Sequence, residues 1–149
     1  MLKKIKINKY NETVYYEKLD NGLEVYMWPN ENVNSYYATL SVKYGSVDTN
    51  FKIKNKTYEV SKGIAHFLEH VKFNEGPNKT AHEYFNKLGS SINAFTTFDY
   101  TSYEVTASNK IKENITHLLD YVQRPYFTKE LIEKERKIIL SEVKMGKNN

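Results

Sequence analysis

Apolar and polar positions alternate along much of the first third of the chain, and that alternation predicts strands. Residues 13–19 (Thr13-Val14-Tyr15-Tyr16-Glu17-Lys18-Leu19) are rich in β-formers. Asp20-Asn21-Gly22 is a turn signal, after which Leu23, Val25 and Met27 alternate with Glu24, Tyr26 and Trp28 in a second strand that pairs back. Pro29-Asn30 ends it, and residues 30–34 read as loop. In a third strand, from about Tyr36 to Tyr44, Ala38, Leu40, Val42 and Tyr44 share one face and Thr39, Ser41 and Lys43 the other. Gly45-Ser46 closes that strand. Residues 47–60 are polar and weakly patterned; 51–54 and 57–60 can form a small hairpin.

Beyond residue 60 the period lengthens. A helix is expected over about 62–74, with Ser61 as its N-cap and Gly76-Pro77 as the stop. Thr80-Ala81-His82-Glu83 is a capping box that starts another helix, with Gly89 just past its end. Residues 90–97 and 101–108 read as two strands joined tightly at Phe98-Asp99-Tyr100. Ile111, Ile115, Leu118, Leu119 and Val122 fall at helical spacing, so 110–123 should be an amphipathic helix, broken at Arg124-Pro125. Thr128 can cap a last helix to about Met145. Strands, then helices, a hairpin and more helices give an α+β fold, a largely antiparallel sheet packed with helices. There is no internal repeat and no low-complexity tract.

Composition narrows the functional classes. A chain of 149 residues fits a single domain, 1–149, with enough apolar residues (40%) for a core. The formal charge is +4. Apart from Lys3, Lys4, Lys6 and Lys9 the lysines are dispersed, which suits a solvated surface and not a nucleic-acid groove. With no cysteine, disulfides and thiolate metal sites are excluded. No apolar run approaches a membrane span. Met1-Leu2-Lys3-Lys4 leads into Ile5-Lys6-Ile7-Asn8 and not into an apolar segment, so no signal peptide is expected and a cytoplasmic location is.

The chemistry concentrates in Gly63-Ile64-Ala65-His66-Phe67-Leu68-Glu69-His70, which contains H-x-x-E-H. On a helix, His66 and His70 lie one turn apart on one face with Glu69 beside them. Two imidazoles so placed can grip one metal ion, and the carboxylate can work on a water. A third ligand must come from elsewhere. His82 lies in a capping box, and His117 falls on the polar side of the 110–123 helix; both read as surface histidines. Glu135 and Glu142 stand two turns apart near Leu131, Ile138 and Ile139. Either that stripe turns to solvent at the two carboxylates, or it carries them to a metal, since a buried charge needs a partner.

The combination of H-x-x-E-H at 66–70, Gly-Ser-Ser-Ile-Asn-Ala-Phe-Thr at 89–96 with Tyr103 beyond, and Glu135 followed by Glu142 resembles the pitrilysin/insulinase family of zinc metallopeptidases, the inverzincins. The resemblance runs from Leu19-Asp20-Asn21-Gly22-Leu23 to Met145, and Arg124-Pro125-Tyr126-Phe127-Thr128 looks closest to the smaller bacterial, processing-peptidase-like members. It implies one zinc ion per chain, held by His66, His70 and Glu142, with Glu69 as the general base and Glu135 holding a ligand or the base in place. It also implies that residues 91–97 form an edge strand to which a substrate peptide adds, with Asn93, Ala94 and Phe95 as substrate contacts.

The same resemblance implies a zinc endopeptidase that cleaves peptides or small unfolded chains through a zinc-activated water. The alternative is a non-catalytic structural or partner-binding relative; such relatives typically lose the motif, which is intact here. Family members continue into the rest of this domain and a second, similar one. The chain is therefore expected to be an incomplete first domain, of low activity alone. Its expected partners are a peptide substrate and the C-terminal half of the same protein or a homologous subunit, with no nucleic acid and no membrane.

Overall fold

The computed structural model describes residues 1–124 and 126–147, which divide into two compact units, Met1–Asn34 and Ser35–Asn149. The first is a three-stranded antiparallel sheet, β1 (Lys3–Ile7), β2 (Glu12–Lys18) and β3 (Glu24–Met27), in that order. The turn between β2 and β3 forms as its sequence predicts: Gly22 adopts φ +89° and its N–H donates to the Leu19 carbonyl at 2.9 Å. The β1 strand is an addition, because its lysines mask the pattern. They lie across the register from tyrosines, Lys3 over the ring of Tyr16 and Lys4 over that of Tyr15, at 5.9 and 5.6 Å. Lysine is also a common guard on an edge strand.

The second unit contains β4 (Tyr36–Val42), the hairpin β5 (Asn50–Ile53) and β6 (Lys56–Glu59), α1 (Ile64–Lys72), the short pair β7 (Asn74–Gly76) and β8 (Lys79–Thr80), and α2 (Ala81–Lys87). The strands β9 (Ser91–Thr96) and β10 (Thr101–Ala107) follow, then α3 (Ile111–Gln123) and α4 (Lys129–Lys147). The main sheet is antiparallel with order β4-β10-β9, so the fold is α+β as expected. Across its central rows, Tyr103 stands between Leu40 and Ala94, and Val105 between Ala38 and Ile92. Over this face pack Ala81 and Phe85 from α2 and Leu118, Tyr121 and Val122 from α3. Two of the buried polar groups on this face pair with each other and with the sheet: Ser90 donates to Asn114 at 2.9 Å, and Asn114 Nδ2 donates to the Tyr36 hydroxyl at 2.6 Å.

Two helix ends differ from expectation. α1 starts after Gly63, in the left-handed region at φ +87°, and no side chain caps it; Ser61 contributes only its carbonyl, to the Ile64 N–H. It ends at Lys72 because Asn74 already pairs with Thr80. The other caps form. Thr80 and Glu83 make the reciprocal capping box of α2, Gly89 takes φ +71°, and the Thr128 hydroxyl accepts from the Leu131 N–H at 3.1 Å. Arg124 is extended (φ −91°, ψ 109°), the backbone a following proline favours; Pro125, the expected breaker, lies outside the described residues.

The face of α3 is also rotated from the expected one. Its buried positions are Asn114, His117, Leu118, Tyr121 and Val122, while Ile111 is exposed. That is still an i, i+3, i+4, i+7, i+8 stripe, with two of its five places taken by polar side chains that find partners inside. His117 is therefore not a surface histidine. It is 9% exposed, stacked on Tyr84 with ring centroids 3.5 Å apart and 3.0 Å from a Glu75 oxygen. His82 is exposed as expected, lying against Phe73.

Candidate metal centre

α1 packs on β9, β10 and α4, and its polar face meets the one buried carboxylate of α4. His66 and His70 present their rings at 85° to each other, with the two Nε2 atoms 3.2 Å apart. Glu142 Oε2, from α4, lies 3.6 Å from each of these nitrogens. The three atoms form a triangle with edges of 3.2, 3.6 and 3.6 Å. A tetrahedral ion with ligands at about 2.0–2.2 Å needs edges of about 3.3–3.6 Å. The donor set therefore fits zinc in both chemistry and spacing. His66, Glu69 and His70 also bring ligand atoms within 4.8 Å of one another. The triangle with Glu142 is tighter, and Glu69 is engaged elsewhere.

Glu69 is 7% exposed and accepts a hydrogen bond from the Thr96 hydroxyl at 2.6 Å. Thr96 in turn lies 3.3 Å from the Thr101 hydroxyl, which donates to the Tyr44 carbonyl at 2.9 Å. The carboxylate is thus tied to β9 through Thr96, and Thr96 sits in contact with Thr101, whose own proton goes to Tyr44 just past β4. Tyr103 stands nearby; burial, and after it the Glu69 charge, pushes its phenol up, so it stays neutral. Glu135 is also buried, with Oε2 3.6 Å from His70 Nδ1, the ring nitrogen turned away from the triangle. A carboxylate there fixes the tautomer and tilt of a ligating imidazole. On α4 the inward stripe is Leu131, Glu135, Ile139 and Glu142, while Ile138 is exposed.

The structure thus brings together His66, Glu69, His70, Glu135 and Glu142. It sets Asn93, Ala94 and Phe95 on β9, which among the described residues pairs only with β10. Their side chains diverge. Ala94 packs against the core, whereas Asn93 and Phe95 point to the opposite, open face, with Phe95 edge-on to Tyr100 at 5.9 Å. Sequence reasoning assigned nothing to Thr96 and Thr101. The available signal was parity: Thr96 shares a strand face with Ile92 and Ala94, the face that α1 covers.

The profile of the family described as Insulinase (Peptidase family M16) matches residues 29–149. The chain is 42% identical over 151 residues to an uncharacterised zinc protease, YmfH, of Bacillus subtilis strain 168, covering 100% of this chain and 35% of that protein. A solved candidate M16-like peptidase from Alicyclobacillus acidocaldarius superposes with a TM-score of 0.82 at 39% identity, over 89% of this chain and 31% of that one. Pitrilysin, at 23% identity and a TM-score of 0.74 over 97% of this chain and 16% of its own, shares the fold. The chain spans about a third of the length of the first two. With the family matched over four-fifths of its residues and the histidine helix inside the match, the chain belongs to the insulinase family, peptidase family M16.

Proposed function

We propose that this chain carries the metal site and base of a zinc-dependent endopeptidase acting on peptides or small unfolded chains. The supporting observation is the triangle of His66 Nε2, His70 Nε2 and Glu142 Oε2, with Glu69 on the same helix face. His66, His70 and Glu142 would hold one zinc ion, and Glu135 would orient His70. Zinc bound there would supply a Lewis acid that polarises a carbonyl and acidifies water.

Glu69 takes the proton of the attacking water and passes it to the departing amine. Its hydrogen bond from Thr96 directs one oxygen and leaves the other for that traffic. A substrate peptide adds along β9 through its backbone, with the side chains of Asn93 and Phe95 on the open face and only the backbone of Ala94 within reach. The rest of a longer protein, or a homologous subunit, would close over the peptide.

The test is Glu69→Gln in the full chain with any partner half it requires. Zinc content should be unchanged and cleavage of an unstructured peptide should fall by about 10³ or more. Unchanged turnover overturns the assignment of the base.

A further inference from the structure

A second polar cavity lies away from the histidine helix, between the β7–β8 turn, α2 and the C-terminal part of α3. Its volume is about 350 Å³, and Glu75, Lys79, Tyr84, His117, Tyr121 and Arg124 line it. This is near the lower end of the range for small-molecule sites. The His117 ring lies flat on Tyr84, interplanar angle 17°, and edge-on to Phe85 at 5.3 Å, so it cannot swing out. Its Nε2 lies 3.0 Å from Glu75 Oε1, and both side chains are 10% exposed.

Two buried polar atoms here have no partner, Glu75 Oε2 and the Tyr121 hydroxyl, and His117 Nε2 has only its contact with Glu75 Oε1, which is misaligned for a hydrogen bond. Elsewhere in the core comparable groups are matched, as Ser90 and Asn114 are. Leaving such atoms unmatched is costly, so something should occupy the space between them. Burial pushes the Tyr121 phenol up, so it stays a neutral group able to donate or accept.

The charges around the cavity are segregated. Inside is the Glu75 carboxylate, with one oxygen free, among aromatic faces from Tyr84 and Tyr121, a setting that favours an ammonium group. At the rim, Arg124 is engaged with Asp120 at 2.7 Å, whereas Lys79 is exposed and, among the described residues, makes no ion pair. A ligand with an ammonium at one end and a carboxylate at the other satisfies both.

A metal suits the cavity less well. His117 and Glu75 offer two ligands, Asp120 is held by Arg124, and among the described residues no third ligand completes a metal-holding group with them.

We propose that this cavity binds a small zwitterion of the amino-acid type, its ammonium on Glu75 and Tyr121 and its carboxylate on Lys79. The site needs nothing from the zinc centre.

The test is NMR titration of the full chain with L-leucine, beside two single-ended probes, isopentylamine and isocaproate. The ring signals of His117 and Tyr84 should move saturably with leucine. Each single-ended probe should bind about tenfold or more weakly, the value of one hydrogen bond to a charged group. Glu75→Gln and Lys79→Met should each weaken leucine by a similar factor, while His66→Ala with His70→Ala should leave it unchanged. Where Glu75→Gln fails to fold by circular dichroism, Tyr121→Phe takes its place.

No saturable shift would mean that water alone fills the cavity and would overturn the proposal. So would equal binding of the single-ended probes, binding that survives both cavity variants, or binding that disappears with the two α1 histidines.

Discussion

Thr96 on β9 donates a 2.6 Å hydrogen bond to Glu69 on α1, and this bond joins the strand proposed to receive the substrate to the proposed base. The two residues are 27 positions apart, and the bond lies partly out of solvent. Thr96→Val keeps the shape and removes the donor. It should lower kcat by about tenfold, as expected for one hydrogen bond to a charged group, with KM and zinc content little changed. Thr96→Ser should restore most of the rate. A kcat equal to wild type in the valine variant would show that Glu69 needs no such support.

The triangle gives a prediction about metal affinity that separates Glu142 from the free histidine. Glu142→Ala removes one of three proposed ligands and should weaken zinc by about two orders of magnitude or more. His82→Ala should have no effect, since that ring lies exposed on Phe73. Competition with a fluorescent chelator reads both. Equal zinc loss in the two variants would remove Glu142 from the ligand set.

His117 should behave as a structural residue toward zinc. Its partner Glu75 is 10% exposed, so His117→Ala leaves a mostly buried carboxylate without its neighbour and opens space beside Tyr84 and Phe85. Destabilisation of about 3 kcal/mol is expected from urea unfolding, with zinc stoichiometry intact. A variant as stable as wild type would show that the Glu75–His117 contact contributes nothing.

These residues show how much the sequence disclosed. H-x-x-E-H could be read because helical spacing alone puts both imidazoles on one face. The caps at Thr80 and Thr128 were legible for the same local reason. His117 escapes a reading in which apolarity marks burial, because α3 buries Asn114 and His117 against partners 78 and 42 positions away, Tyr36 and Glu75. Helical periodicity records spacing but not such partners. Glu142 could be placed near Glu135 but not near His66, because that proximity depends on how α4 crosses α1. β1 was hidden by lysines whose counterparts are tyrosines on the next strand.

The open face of the sheet offers a titration prediction. Tyr37 donates to the Glu104 carboxylate, and this bond, with smaller effects from burial and charge, raises its phenol from 10.0 to about 12. The folded state holds this proton more tightly than the unfolded chain does. Its contribution to stability is therefore complete below pH 10 and is lost as pH rises through about 12. Tyr37 is exposed, so the effect is small. Ultraviolet difference titration of wild type against Glu104→Gln should show one tyrosine moving back toward 10.0. An unchanged titration curve would refute the bond.

Gly45 should prove as necessary to the site as residues nearer to it. It is buried three residues beyond β4, and a Cβ there would collide with the backbone of Phe98 and Asp99. The close approach arises because residues 45–48 zip onto the β9–β10 connection: Ser46 N–H donates to the Thr97 carbonyl at 2.9 Å and Val47 N–H to that of Phe98 at 3.0 Å. Gly45 N–H also donates to Asp48 Oδ2 at 2.7 Å. Backbone cannot yield as the end of a flexible side chain can, so Gly45→Ala must separate the two segments. Overpacking of this kind costs about 1–3 kcal/mol. The displaced connection has Thr96 at one end and Thr101 at the other, and Thr101 is anchored to the Tyr44 carbonyl beside Gly45. The strain should therefore reach Glu69. Gly45→Ala should lower the melting temperature by several degrees and reduce kcat along with it, while zinc content, set by the proposed ligands His66, His70 and Glu142, stays unchanged. Gly22→Ala provides the contrast: it is strained in its own turn but has nothing within 4 Å of its added Cβ, so it should lower stability and leave turnover per folded molecule unchanged. Equal turnover per folded molecule in the two variants would show that the β9–β10 connection does not transmit strain to the base.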